Sequence, residues 1–405
     1  MIKFIDGGVC AAKGFRAGGI RAGFKAGSTK KDLAIVVSDC MASAAGVYTQ
    51  NKVKGAPIDV TKKHIEDGLA QAIICNSGNA NTCAPNGIEV AEKTCALAAE
   101  ALGLKTEDIT VCSTGVIGQE LSMTPFETGI PVLVNELSYD GSAEAAAAIM
   151  TTDTIMKAAA VEFEIGGVTC TLGGISKGSG MINPNMATML GFITTDAKIS
   201  PEMAKKALSN DILTSFNQIC VDGDTSTNDT VLLLANGMAE NEEITCEGEA
   251  FDAFCEALSA VTTTLAKKMA GDGEGASKMI ECKVKGAPDD ITARKIAKSV
   301  IASDLLKAAI FGSDANWGRV LCAIGYTDAE FSADNIDVDM SSVKGTVEVC
   351  RGSRHKVYSE EEATEILKEK EITISVDMNQ GSGEGTAWGC DLTYDYVQIN
   401  GDYRS

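Results

Sequence analysis

At 405 residues the chain exceeds one ordinary domain, leaving two lobes or one large α/β unit. A net charge of −21 argues against a nucleic-acid partner, since phosphate binding needs clustered Lys and Arg. The 45% hydrophobic content supplies an ample core, and 41 glycines against 5% aromatics imply tight turns and close backbone approaches.

The opening MIKFIDGG meets an acid and two glycines too early for the apolar region of a secretory signal. Strand-like runs follow at residues 33–37, 72–75 and 109–112, and helical spacing of apolar residues at 90–102 and 142–160. Ser200 before Pro201 is a good helix start, and the helix is read over 201–219. Longer helices are expected at 249–270 and 290–311, and a shorter one at 360–370. Between them lie strand-like segments at 188–194, 230–234, 279–284, 372–376 and 387–399. The pattern is mixed α/β (α+β), without repeats or a Pro/Ser-rich linker, and its clearest discontinuity is the polar run 178–187. No apolar run is long enough to cross a bilayer, so a cytoplasmic protein without a membrane partner is expected.

Fourteen cysteines in a chain read as leaderless imply reduced thiols rather than disulfides. No C-x-x-C pair occurs, and only His64 and His355 offer imidazole, so no metal site is expected. A nucleophile in this chain must draw its base from something other than histidine.

The glycine-rich segments are individually weak signals. Residues 173–180 (GGISKGSG) lack the order of a phosphate-binding loop, and no helical pattern follows them. Residues 271–275 (GDGEG) read either as a helix C-cap and turn or as a tight loop holding a carboxylate toward an ammonium group. Residues 381–385 (GSGEG) read as a strand connection, and 76–81 (NSGNAN) as turn formers whose amides line a cleft. At 183–197, NPNMATMLGFITTDA, a polar turn runs straight into an apolar β-branched segment with Thr188 at the join. Alone it reads either as a loop entering a buried strand or as a threonine placed to attack.

Together these stretches resemble the ornithine acetyltransferase family, the glutamate N-acetyltransferases of the cyclic arginine pathway. The resemblance rests on AAKGF (11–15), NSGNAN (76–81), STGVIG (113–118), MTTDT (150–154), residues 174–180 and 183–197, DGEG (272–275), GSDANWGR (312–319) and the terminal 400–405. It spans nearly the whole chain in order. It implies a large two-lobed unit of the ornithine acetyltransferase and self-cleaving aminopeptidase type. It also implies a precursor that cuts itself between Ala187 and Thr188 into an α chain, 1–187, and a β chain, 188–405, assembling as an α2β2 heterotetramer. Thr188 Oγ would attack the Ala187 carbonyl, and water would resolve the ester left by the N→O shift. The freed α-amine, titrating near ~8 in model peptides, can then take the hydroxyl proton. That would explain a nucleophile working without histidine.

The resemblance also assigns roles. Thr114 and Gly115 match the oxyanion hole, Thr188 the nucleophile, and Lys177, Glu274, Asn400 and Ser405 substrate-binding positions. A threonine of 150–154 joins them, Thr151 favoured over Thr154. This chain ends in Ser405 where the family usually has Thr, and has Ala12 where Pro is common. The implied reaction moves acetyl from N2-acetylornithine to glutamate through acetyl-Thr188, in ping-pong order, without a cofactor; some members also use acetyl-CoA as a co-substrate. The rivals are a self-cleaving aminopeptidase or amidase, which would hydrolyse its acyl-enzyme, and a non-enzymatic amino-acid-binding protein. Lys177 and NWGR favour the transferase.

Overall fold

The computed structural model describes residues 2–25, 27–183 and 189–402. Up to residue 235 its strands are β1 (Lys3–Ile5), β2 (Phe15–Ile20), β3 (Leu33–Tyr48), β4 (Leu69–Asn79), β5 (Ile109–Val116), β6 (Lys157–Ile165), β7 (Val168–Lys177), β8 (Leu190–Thr195), β9 (Ile219–Cys220) and β10 (Thr230–Ala235). Beyond it come β11 (Met279–Ala287), β12 (Asp337–Ser342), β13 (Gly345–Arg351), β14 (Arg354–His355), β15 (Glu371–Asp377) and β16 (Gly383–Cys390). Among the described residues these form a nine-stranded sheet, ordered β1-β6-β7-β8-β10-β3-β4-β5 with β2 on β3, and a seven-stranded one, ordered β14-β13-β12-β15-β11-β16-β9.

The first sheet is covered on both faces. Along β10, Val231, Leu233 and Ala235 join one apolar cluster while Leu232 and Leu234 join another, as side chains alternate across the pleat. Helices Pro201–Asp211 and Glu249–Gly271 cover one face and Ser142–Ile149 the other. Double coverage explains the unbroken apolar reading of β8 and β10. The second sheet packs one face on helix Asp290–Ala302 and its neighbours. Its other face carries Lys283, Lys285, Asp339, Arg351 and Asp377. Helix Glu249–Gly271 lies against β6 and also shares a cluster with Trp388 and Cys390 of β16, so its C-terminal end sits between the sheets. No helix among the described residues is long and apolar enough to cross a membrane.

The mixed α/β architecture agrees with the sequence reading, and several boundaries differ. The helix read over 142–160 stops at Ile149, and residues 157–160 open β6. Asp153 accepts the Thr151 N–H at 3.0 Å, one of the local side-chain bonds by which Asp and Thr compete with helix formation. The helix read over 290–311 breaks at Ser303, whose hydroxyl caps a second helix, Asp304–Phe311. The helix begun at Pro201 ends at Asp211 rather than 219, and the run 387–399 is the end of β16 followed by helix Tyr394–Asp402. Strand β8 starts at Leu190, while position 188 lies outside the described residues.

The boundary expected at 187/188 does not separate the two sheets. Strand β8 pairs with β7 on one side, Leu190 opposite Lys177, and with β10 on the other. Residues 1–187 and 188–405 therefore contribute neighbouring strands to one sheet.

Candidate active site

Strand ends and loops of the first sheet meet the end of helix Glu249–Gly271 around a cleft of about 760 Å³, its open mouth included. Ala80 closes it after β4, Thr114, Gly115 and Ile117 come from the end of β5, Thr151 and Thr152 from the loop before β6, and Lys177 from the end of β7. Residues 226–229, just before β10, form another part of the wall, and Glu274 and Asn400 complete it.

The end of β5 is held at both sides. The Ser113 hydroxyl donates to Asn76 Oδ1 at 2.6 Å, and Asn228 Nδ2 donates to the Ser113 carbonyl at 3.0 Å. Gly115 has φ +129°, and a Cβ there would stand 2.4 Å from the Gly78 carbonyl carbon. Only glycine permits this approach of β5 to β4. Lys177 Nζ donates to Thr114 Oγ1 at 3.2 Å. The ammonium occupies a lone pair of that hydroxyl and leaves its proton free to be donated onward.

Beneath the cleft lies a closed set of charges. Lys157 Nζ, fully buried, donates to Asp153 Oδ1 at 2.7 Å and Asp272 Oδ2 at 2.5 Å. Asp153 also accepts the Gly178 N–H at 2.7 Å. Burial pushes the Asp153 carboxyl up, but the Lys177 and Lys157 ammoniums and these hydrogen bonds outweigh it and hold it at about 2. Through Asp153 and Asp272 the set ties together the 150–156 loop, the end of β7 and the end of the long helix.

Glu274 is fixed over Gly180. Its N–H donates to the Ser179 carbonyl at 3.0 Å, and Asn400 Nδ2 donates to Glu274 Oε2 at 2.8 Å. A Cβ on Gly180 would stand 2.3 Å from the Glu274 carboxyl carbon, so glycine makes room for the carboxylate. In GDGEG, Asp272 is the C-cap residue of the long helix and Glu274 faces the cleft.

The structure thus brings Thr114, Gly115, Thr151, Lys177, Glu274 and Asn400 to one cleft. The Thr154 hydroxyl instead donates to Asp272 Oδ1, so of the two threonines Thr151 is the one at the wall. Ala187, Thr188 and Ser405 lie outside the described residues. Met189, the neighbour of Thr188, lines the cleft. The NWGR segment is not at the cleft. Asn316 caps its own helix by accepting the Arg319 N–H, Trp317 stacks on His355 at 5.8 Å, and the Arg319 guanidinium donates to the Leu305 carbonyl. His64, the other histidine, has Nδ1 2.7 Å from the Ile109 carbonyl oxygen.

The sequence reading missed the segment 226–229, Thr152 and the buried set Asp153, Lys157 and Asp272. A signal for the first was present. Residues 222–230 (DGDTSTNDT) are a polar run leading into an apolar β-branched strand, the same profile as 183–194. In the fold β8 and β10 are parallel neighbours, so both polar runs end at the same edge of the sheet.

A two-sheet α/β fold and a cleft bearing an ammonium, a carboxylate and hydroxyl donors define an enzyme architecture. The chain belongs to the ArgJ family, whose model matches residues 16–405. It is 48% identical over 405 residues to "Arginine biosynthesis bifunctional protein ArgJ" of Caldanaerobacter subterraneus, covering 100% of both chains. It is 50% identical over 406 residues to the protein of the same name from Symbiobacterium thermophilum, again over 100% of both. A crystal structure of the arginine biosynthesis bifunctional protein from Bacillus halodurans is similar with a TM-score of 0.51 and 49% identity, covering 53% of this chain and 100% of that one.

Proposed function

We propose that this chain is an acetyltransferase of arginine biosynthesis that moves acetyl from N2-acetylornithine to glutamate through an acetyl ester on Thr188. The carrying observation is the single cleft that presents Lys177 and Glu274 together with Thr114 and Gly115. The Lys177 ammonium matches the α-carboxylate shared by both amino acids. Glu274, oriented by Asn400, matches the side-chain ammonium that ornithine has and glutamate lacks. The Thr114 hydroxyl and the Gly115 N–H would stabilise the oxyanion formed when Thr188 attacks the acetyl carbonyl. Thr151 shapes the wall beside them, and the terminal Ser405 hydroxyl would add a substrate contact.

In the first half-reaction Thr188 Oγ bonds to the acetyl carbon while its proton passes to the Thr188 α-amine. The C–N bond then breaks, and that proton leaves on the ornithine amine. In the second half the glutamate amine attacks the ester carbon, the bond from that carbon to Thr188 Oγ breaks, and the proton released by the amine passes to Thr188 Oγ. Such a scheme needs no cofactor, and acetyl-CoA would enter only as a second acetyl donor; the word "bifunctional" in the relatives' names supports that second activity. The free α-amine requires a cut before Thr188, giving chains 1–187 and 188–405. The coverage of the Bacillus halodurans chain supports this reading: 405 − 187 leaves 218 residues, or 54% of the chain, against the 53% matched. Assembly as α2β2 in the cytoplasm follows from the family reading. Membership of the ArgJ family favours transfer over the hydrolytic aminopeptidase alternative.

The test is Thr188→Ala. Denaturing mass spectrometry should find one intact chain, and acetyl transfer should be lost. Normal processing in that variant would assign the cut to another residue. With the native protein, initial rates at varied N-acetylornithine and glutamate should give parallel reciprocal plots. Intersecting plots would indicate a ternary complex and defeat the acyl-enzyme.

A further inference from the structure

The wall segment before β10 carries a carboxyl group that the reaction scheme does not use. Asp229 is only 2% exposed and belongs to the cleft wall. It sits where the two parallel strands begin, since Thr230 N–H donates to the Met189 carbonyl at 3.0 Å and Thr230 lies opposite Leu190. The Met189 N–H, one residue beyond Thr188, and the hydroxyls of Ser226 and Thr49 face its carboxyl, and Lys177 is the cation nearest in effect. Even so, Asp229 Oδ2 has no hydrogen-bond partner. Nor do Asp229 and Lys177 form an ion pair within 4.0 Å, although both are described.

An ionised carboxylate at such depth should have partners on both oxygens or a cation in contact. Asp229 has neither. Burial accordingly pushes its carboxyl well above the usual carboxylate range, despite the opposing effects of Ser226, Lys177, the Met189 amide and Thr49. The other charges around the pair are Asp153 and Lys25, on both of which the Lys177 ammonium acts, and Glu274 in the cleft wall. Asp153 is already engaged by Lys157.

We propose that Asp229 sets the charge of the substrate-binding wall: as an uncharged group it leaves the Lys177 ammonium free for the α-carboxylate of the amino-acid substrate, and on ionising it cancels that ammonium. Asp229 acts through Lys177 and the Met189 amide, which makes it a positioning residue. The inference rests on the functional reading above, and it makes carboxylate recognition dependent on a proton held in the wall.

The experiment pairs kinetics with infrared spectroscopy on the processed enzyme and on Asp229→Asn. In the native protein KM for N-acetylornithine should rise about tenfold from neutral to alkaline pH, the size of one unit of charge coupling, while kcat changes less. A protonated-carboxyl stretch should be present at neutral pH and vanish over the same interval. In Asp229→Asn both the stretch and the additional rise in KM should be gone. Titration of the substrate's own amine is common to the two proteins and cancels in the comparison. An equal rise in KM in both proteins, or no such stretch at neutral pH, would overturn the proposal. If Asp229→Asn fails to fold, the native protein still decides, because a stretch that titrates apart from KM rejects it. Absence of transfer at every pH would instead count against the functional reading. Ornithine affinity measured by calorimetry would then replace KM, and affinity that does not fall as the stretch vanishes would reject the role of Asp229.

Discussion

Lys157 and Lys177 stand on neighbouring strands, both buried, in opposite electrostatic situations. Lys157 closes a set with Asp153 and Asp272, with a carboxylate within 2.7 Å on either side. Lys177 has the Thr114 hydroxyl at 3.2 Å, and no described carboxylate pairs with it within 4.0 Å. The first arrangement spends its charge inside the fold, tying a loop, a strand end and a helix end together. The second leaves charge directed at the cleft. A buried charge with its partners in place is structural, whereas one left short of partners is a candidate for binding a ligand.

The sharpest way to break that comparison is to remove each ammonium in turn. Lys157→Met strands two buried carboxylates and should cost about 3–5 kcal/mol of stability. Lys177→Met removes a charge that no described carboxylate pairs within 4.0 Å and that acts on Asp153 only at longer range, so its main effect should be a raised KM for both amino acids, with a smaller loss of thermal midpoint than Lys157→Met. Denaturation curves for the two variants decide the matter. Equal destabilisation would mean that Lys177 is as structural as Lys157.

Next in size is Thr114→Val. Loss of one oxyanion donor typically costs roughly 2.7–4 kcal/mol, so kcat should fall about 10²–10³-fold in fully cut enzyme. Because Thr114 also accepts from Lys177, some movement in KM is expected, but kcat should carry most of the loss. A normal kcat would make Ser113-Thr114-Gly115 no more than a turn at a strand end.

The comparison also separates what the sequence could reveal from what it could not. Thr114, Gly115, Lys177 and Glu274 stand in short stretches whose glycines mark close approach, and Gly115 and Gly180 do make room for Gly78 and Glu274. Helices with clear periodicity and caps, such as that begun by Ser200 and Pro201, were legible too. The closed set was not. Asp153, Lys157 and Asp272 come from a loop, a strand and a helix end up to 119 positions apart (272 − 153), and only the fold reveals that they neutralise one another. Strand β6 was hidden because its alanines continued a helical spacing, and pairing with β7 overrode it. The NWGR segment shows the reverse: a distinctive motif whose side chains cap their own helix and bond the Leu305 carbonyl without reaching the cleft.

A smaller effect should distinguish the substrates. Glu274→Gln keeps an acceptor for Asn400 but loses the charge that matches an ammonium group. Hydrogen bonds to charged groups are worth about 1.5–3 kcal/mol, so kcat/KM for N-acetylornithine should fall about 10–100-fold. Glutamate, which has no side-chain ammonium, should be affected much less. Equal losses for both would make Glu274 a structural carboxylate like Asp272.

The smallest effect extends the rule to a carboxyl far from the cleft. Asp211 ends the helix that begins at Pro201, is buried, accepts the Ser215 hydroxyl at 3.0 Å and leaves Oδ1 without a partner. Asp153 is held at about 2 by two ammoniums, whereas burial pushes Asp211 up to about 6, only partly opposed by hydrogen bonds from Thr262 and Ser215. An aspartate in the unfolded chain titrates near ~3.9, so between about pH 4 and 6 the folded state binds more protons than the unfolded state. Stability must therefore fall as pH rises through that window and level off above it, where the fold bears a buried charge at the unfavourable end of a helix. Asp153 has the opposite sign: its contribution is present above about pH 4 and is lost as pH falls toward 2. Asp211→Asn removes the first dependence and leaves the second. The thermal midpoint of the variant should draw above that of the native protein from pH 4 to 6 and remain above it to pH 8, by an amount equivalent to about 1 kcal/mol once the imperfect fit of an amide is allowed for. If the two midpoints run parallel from pH 4 to 8, Asp211 is already ionised in the fold, and burial without a cation is not enough to hold a proton here.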